Sequence, residues 1–423
     1  MFVRLPPAWR RRHCLTIARG RDGRIERKPI CIILGASRIS WHKLPAQSIF
    51  ELRFRTMSNT TDAAIAAQSA ALSTHFTQIV LPLWRAQGFN ASMQLPYEAV
   101  CAEDQTPLPV ARYRAMACAR QLFVFSLAGD AAHAQTLFAS LRRYFRDERH
   151  GGWFYSVDAA GAPLDTTKDL YTHAFVVFAC ASYLAAFGDS DARDLLGETA
   201  ALIGERFAAT EGLLHSALDE RFSSVRSGPL QNPLMHLTEA YLAAQEATGD
   251  AAFEQALGGL ATAVARTFVH APTGAIAELP IGTEGNRIEP GHQFEWFYLV
   301  ARAGRTIAAS GLAASLERAF DFAQRHGVDA QTGGVCAALN EDGSIQDATQ
   351  RIWAQTEYLR ALATRGTPAD RGALASQIEH FRTRFLHPLG WYECKTADGE
   401  IARGDMPSTT PYHLATAYAA LPA

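Results

Sequence analysis

The stretch TKDLYTHAFVVFACASYLAAFGDSDARDLLGETAALIGERF, residues 167–207, decides the fold. From Leu170 to Leu184 it is apolar nearly all round, as expected of a helix buried on every side. Gly188 and Asp189 then break the run. From Ser190 to Phe207 the apolar residues Leu195, Leu196, Ala200, Ile203 and Phe207 recur at three- and four-residue spacing with charges between them, which describes a helix with one wet face. A buried helix, a tight turn and an amphipathic helix make a helical hairpin.

The hairpin repeats. Helix-ending signals stand at LAGD (127–130), FGD (187–189), ATGD (247–250), AASG (308–311) and ATRG (363–366), at intervals of about 55–62 residues. Each is followed by an amphipathic pattern and preceded by a nearly all-apolar one, a period that marks repeated supersecondary units. Between units lie short loops in which DAAG (158–161), EDG (341–343) and ADG (397–399) read as tight turns of small β-hairpins. The expected fold is all-α: six helical hairpins closed into an (α/α)6 barrel, a toroid with the buried helices inside and the β-hairpin loops at one mouth.

Bulk composition narrows the function. A chain of 423 residues that is 48% hydrophobic and 19% charged has room for a large core, and no apolar run reaches the ~20 residues of a bilayer span. A net charge of −2 argues against a polyanion-binding surface, so no nucleic acid or membrane partner is expected. The seven scattered cysteines form no CxxC pair, which reads as reduced thiols in a cytoplasmic protein. Charge is uneven: residues 1–56 carry 13 Lys/Arg against three Asp/Glu. This basic segment is expected to be a non-folding extension, with Met57 as an alternative start, and residues 57–423 to form one catalytic domain.

Five of the six buried helices open with a polar or aromatic cluster. NPLMHLTEA places Asn232, His236 and Glu239 at i, i+4 and i+7, on one helix face. EPGHQFEW repeats the device with His292, Glu295 and Trp296. RIWAQTEYL holds Arg351 beside Gln355 and Trp353 beside Glu357. TKDLYTHAF supplies Tyr171 and His173, and STTPYHL supplies His413. The sixth, VARYRAMACARQLFVFSLAG, carries Arg120 inside an apolar run, which is expensive unless the guanidinium is paired or faces a wet pocket. Each cluster alone also suits a packed core, with Asn232 as a helix cap before Pro233 and His236 as a satisfied buried histidine. Together they crowd one mouth with groups that are costly to bury without a ligand. There is no GxGxxG after a strand, no P-loop and no GxSxG. The two HxxE pairs lack the HExxH or Cys/His spacing of a metal site, so neither metal nor cofactor is expected.

With these clusters in order, the chain resembles the N-acylglucosamine 2-epimerase family of sugar epimerases and isomerases. The matching stretches are GGWFYSVDAAGAPLDTTKDLYTHAF, NPLMHLTEAYLAAQEATGD, EPGHQFEW, RIWAQTEYL and TTPYHL, spread over residues 62–422. RAQGFNASMQLPYEAV, after Trp84, lacks the Gly-Gly turn the resemblance leads one to look for. The resemblance implies that His292 and His413 are the acid/base pair. It likewise implies that Arg120, Tyr171, Asn232, His236, Glu239, Glu295, Trp353 and Gln355 bind the sugar, with Glu295 supporting His292. The implied activity is metal-independent interconversion of D-mannose and D-fructose through an enediolate, TTPYHL standing nearer the isomerase branch. His413 would move the C2/C1 proton and His292 would serve ring opening. A 2-epimerase acting on mannose/glucose or N-acylglucosamine is the alternative, and an (α/α)6 glycoside hydrolase using Glu239, Glu295 and Glu357 is a second. A monosaccharide is the expected partner, and a homodimer is left open.

Overall fold

The computed structural model describes residues 46–422. Of the expected extension, residues 1–45 lie outside the described residues, and the boundary at Met57 falls inside the first helix, α1 (Ala46–His75). That helix continues through a π-turn, Phe76–Val80, into α2 (Leu81–Arg85). Paired helices follow: α3 (Ala115–Leu127) and α4 (Ala131–Phe145), α5 (Leu170–Phe187) and α6 (Ser190–Arg206), α7 (Gln231–Thr248) and α8 (Ala251–Phe268). Then come α9 (Pro290–Ala303) and α10 (Leu312–Gly327), α11 (Ile352–Arg365) and α12 (Pro368–Phe385), and finally α13 (Thr410–Ala420).

The turns of the repeat work as their chemistry dictates. Gly188 ends α5 at φ 71° and Gly249 ends α7 at φ 72°, a left-handed conformation that glycine adopts without the Cβ penalty. The next residue caps the following helix: Asp189 accepts from the Ala192 N–H and Asp250 from the Ala252 N–H, both at 2.9 Å. One turn departs from the pattern. Helix α9 stops at Ala303, and a 3-10 segment, Gly304–Ser310, covers the distance to the expected AASG turn.

The all-apolar helices pack in a closed cycle: α3 on α5, α5 on α7, α7 on α9, α9 on α11, α11 on α13, and α13 back on α3. The amphipathic helices α4, α6, α8, α10 and α12 each lie on the partner that precedes them. Helix α5 is apolar and long enough by composition to cross a bilayer, yet 72% of it is buried among the other helices. Its composition is that of a core helix.

Small antiparallel sheets sit where the inner helices begin. Tyr113–Arg114, just before α3, pairs with Ser156–Val157, the first strand of the next hairpin loop. Lys168–Asp169 before α5 pairs in the same way with Ala217–Leu218, and Gln350–Arg351 before α11 with Cys394–Lys395. Asp405–Pro407 before α13 pairs with Ala99–Cys101 and joins the last unit to the first. The β-hairpins therefore collect around the N-terminal ends of the inner helices. That rim is the mouth. Buried glutamine and histidine side chains fasten it: Gln293 bonds both backbone groups of Ile276, and His173 Nε2 accepts from the Trp153 N–H.

Candidate active site

All six inner helices send polar side chains into the ring, because i, i+3 and i, i+4 spacings keep them on the inward face. They form two layers. Nearer the mouth are Arg120, His236, His292, Trp353 and His413, which retain 4–8% exposure. Deeper lie Glu239, Glu295, Glu357 and Arg360 at 0–1%.

His292 and His413 pack against one indole, that of Trp353, with ring centroids 4.9 Å and 5.8 Å from it. Their environments differ. His292 Nδ1 lies 2.6 Å from Glu278 Oε1 and 3.6 Å from Glu289 Oε2. Burial alone would lower its pKa, but Glu278 and Glu289 outweigh burial and raise it to about 9. His413 Nδ1 lies 3.0 Å from Glu357 Oε1. Burial, then Arg120 and His236, nevertheless hold His413 well below the usual histidine range. Glu357 cannot reverse this, because Arg360 Nη1 sits 3.1 Å from its other oxygen and blunts its pull. At neutral pH the ring thus holds a charged imidazole at His292 and a neutral one at His413. Donation of Nδ1–H to Glu357 leaves Nε2 of His413 as the free lone pair.

Arg120 supplies the other charge. Its Nη2 donates to the Tyr171 hydroxyl at 2.6 Å, and its guanidinium stands 4.2 Å from the centroid of Phe175 and 4.7 Å from that of Tyr412. No carboxylate lies within ion-pair distance of it among the described residues. Its Nη1 meets the Thr409 carbonyl at 3.4 Å, and its buried Nε has no hydrogen-bond partner.

In the deeper layer Arg360 bridges two carboxylates, Nη2 to Glu239 at 3.2 Å and Nη1 to Glu357. Tyr412 donates its hydroxyl to Glu239. Burial raises the Glu239 pKa, but His236, Arg360 and Tyr412 overcome it and keep the group ionised. Glu295 is different. Both its oxygens are buried without a hydrogen-bond partner, and burial with the neighbouring Glu357 and Glu239 pushes its pKa well above the carboxylate range. Burial and its acidic neighbours thus favour the protonated form of Glu295. Burial lowers the His236 pKa to about 4, so that imidazole is neutral and packs edge-on against Tyr171, centroids 4.7 Å apart.

Several sequence-based assignments need correction. Glu295 makes no direct contact with His292, although its charge is among those that raise the His292 pKa; its nearest imidazole is His236, at 3.8 Å, and the carboxylate on His292 Nδ1 is Glu278, at 2.6 Å. Gln355 is not free for a sugar: its amide bonds the backbone N–H and C=O of Val335 and the C=O of Arg351. A buried amide must satisfy all its groups, and the loop does so. Asn232 is not the cap of α7, which is Leu230; it is the second helical residue, and its Oδ1 has no partner. Arg120, Tyr171, His236, Glu239, His292, Trp353 and His413 are brought together as expected. Glu278 and Gln231 were missed, the first because it comes from a loop with no motif. Arg360 was missed although Glu357-x-x-Arg360 puts it one helical turn away from a noted residue. Among the described residues three triads could hold a metal by proximity, His236/Glu239/Glu295 and Glu278/Glu289/His292 in the ring and Asp147/His150/Glu220 outside it, each with its ligating atoms within 4.8 Å.

Acid, base and cation are gathered in one buried ring, an arrangement suited to an enzyme that moves protons. The N-acylglucosamine 2-epimerase (GlcNAc 2-epimerase) family model matches residues 98–417, and the chain belongs to that family, an isomerase or epimerase. Among its relatives, the mannose-6-phosphate isomerase of Rhizobium meliloti (strain 1021) is 28% identical over 375 residues, covering 82% of this chain and 95% of that one. The D-mannose isomerase of Thermobifida fusca is 31% identical over 263 residues, 56% of this chain and 63% of that one. The crystal structure of a D-mannose isomerase superposes with a TM-score of 0.74 at 19% identity, covering 83% and 97% of the two chains, and shares the fold.

Proposed function

We propose that this protein is an aldose–ketose isomerase that interconverts D-mannose and D-fructose without a metal, on an (α/α)6 barrel. The closed cycle of inner helices supports the barrel. The observation that carries the chemistry is the pair of histidines on Trp353 held in opposite charge states. His292, protonated, donates to the ring oxygen as the C1–O5 bond breaks and takes up the proton released from O1, which opens the sugar and leaves the imidazole charged as before. His413, neutral, removes the C2 proton and returns it to C1. Arg120 faces the oxygens on which enediolate charge develops, and the Glu295 acid donates to a hydroxyl. The names of the two isomerase relatives favour mannose over other aldoses.

A 2-epimerase is the second reading. A charged His292 near a neutral His413 is what return of the proton on the opposite sugar face would need, and a cellobiose 2-epimerase of Bacteroides fragilis is a relative at 24% identity. A glycoside hydrolase fits less well. It needs two available carboxyl groups, and Arg360 occupies both Glu239 and Glu357. Metal independence is supported by the same contacts, since Arg360 and Tyr412 take the oxygens of Glu239, and Glu278 takes Nδ1 of His292. The monosaccharide remains the proposed partner and the cytoplasm the proposed compartment, with free thiols at Cys101, Cys118, Cys180, Cys336 and Cys394 in support.

Incubation with D-mannose followed by proton NMR tests the reading: fructose is expected, glucose would favour the epimerase, and an unchanged sugar would overturn both. Activity after dialysis against EDTA should stay within about twofold of untreated enzyme; loss restored by a divalent ion would contradict metal independence. The pH profile of kcat/KM should be flat across neutrality. Its acid limb, neutralisation of His413, lies well below 6.5, and its alkaline limb, deprotonation of His292, lies near 9.

A further inference from the structure

We infer that Glu278 is the positioning residue that makes His292 a proton donor, by holding the Nδ1 proton so that Nε2–H faces the ligand. This rests on the acid role proposed for His292. Glu278 is 7% exposed and its carboxylate is gripped from two further elements. Gln231 of α7 donates its amide N–H to Glu278 Oε1 at 2.9 Å and also lies 2.8 Å from His292 Nδ1. The Gln231 carbonyl in turn accepts from Trp296 Nε1 of α9 at 2.8 Å. An ionised carboxylate can only accept, so the 2.6 Å contact between Glu278 Oε1 and His292 Nδ1 places a proton on Nδ1, directed at that oxygen. The loop backbone is pinned too, Gln231 N–H to Glu278 C=O at 3.3 Å and Glu278 N–H to Arg287 C=O at 3.0 Å.

The other groups facing His292 do not substitute for Glu278. Glu289, from the same loop, is 3.6 Å away and is ion-paired with Arg287 at 2.8 Å. Glu295, on the same helix, is the neutral acid of the deeper layer, and burial leaves His236 of α7 neutral. Trp353 of α11 offers only its ring, and His413 lies beyond that ring. Glu278 therefore fixes the orientation of His292 and is the first of the two carboxylates, with Glu289, that hold its charge.

The test is Glu278→Gln, which keeps size and hydrogen bonding but removes charge. We expect kcat to fall about 100-fold with KM within about threefold, and the alkaline limb of the profile to move down to near 6–7. Glu278→Asp should keep the limb near 9. Loss of active protein without movement of the limb would mean a merely structural role and would overturn the inference. Imidazole NMR of the unaltered protein supplies a readout that needs neither turnover nor a folded variant: the His292 ring should titrate near 9 with a persistent Nδ1–H. Titration near 6.5 would overturn the inference even if the enzyme isomerises mannose. A raised titration in a protein that converts no sugar would instead defeat the proposed function and leave the Glu278–His292 pairing standing.

Discussion

His413→Asn should lower kcat on D-mannose by about 10²–10⁴-fold, the usual worth of a positioned general base. The asparagine amide still donates to Glu357, so the buried ion pair with Arg360 survives, and the melting temperature should shift little. What disappears is the lone pair at Nε2. Substrate binding draws on Arg120, Tyr171 and Trp353, so KM should change by less than about fivefold. Steady-state kinetics beside a thermal melt checks the split. A large drop in melting temperature with a small drop in kcat would make His413 a packing residue.

Arg360→Met should be the most destabilising single change in the ring. Arg360 is 1% exposed, pairs with Glu239 and Glu357, and stands 3.6 Å from the centroid of Tyr298. Removing it leaves two buried carboxylates without their cation, a loss of about 3–5 kcal/mol. The deficit should depend on pH with a definite sign. Without Arg360 both carboxylates would have folded-state pKa values raised above the unfolded ones. The penalty is then fully present at neutral pH and relieved as pH falls and the groups protonate. Urea midpoints at pH 8 and pH 5 should show the variant furthest from the parent at pH 8. Equal deficits at both would contradict the bridging role.

The fold was legible because its signals are local. A run such as Leu170–Leu184, apolar on every face, can only be buried, and Gly188–Asp189 ends one helix and starts the next by backbone chemistry alone. His292 and His413 were likewise visible, since each opens a helix whose remaining residues are apolar. What was not legible is which group each would meet. Glu295 sits one turn from His292, a spacing that suggests direct contact, but the ring turns that carboxyl toward His236 and brings Glu278 in from a loop fourteen residues away. Gln355 shows the converse: its place beside Trp353 suggested sugar contact, whereas the Val335 backbone satisfies its amide. Helical spacing tells which residues share a face; pairing across the ring depends on loops that carry no period.

The assignment of a neutral base at His413 and a charged acid at His292 is most directly tested by exchange of the C2 proton of mannose with solvent in D₂O. NMR would follow it for the unaltered enzyme, His292→Asn and His413→Asn. Exchange at C2, or its transfer into fructose, is expected in the unaltered enzyme, at a reduced rate in His292→Asn, and not at all in His413→Asn. Exchange that survives the loss of His413 but not of His292 would contradict the assignment.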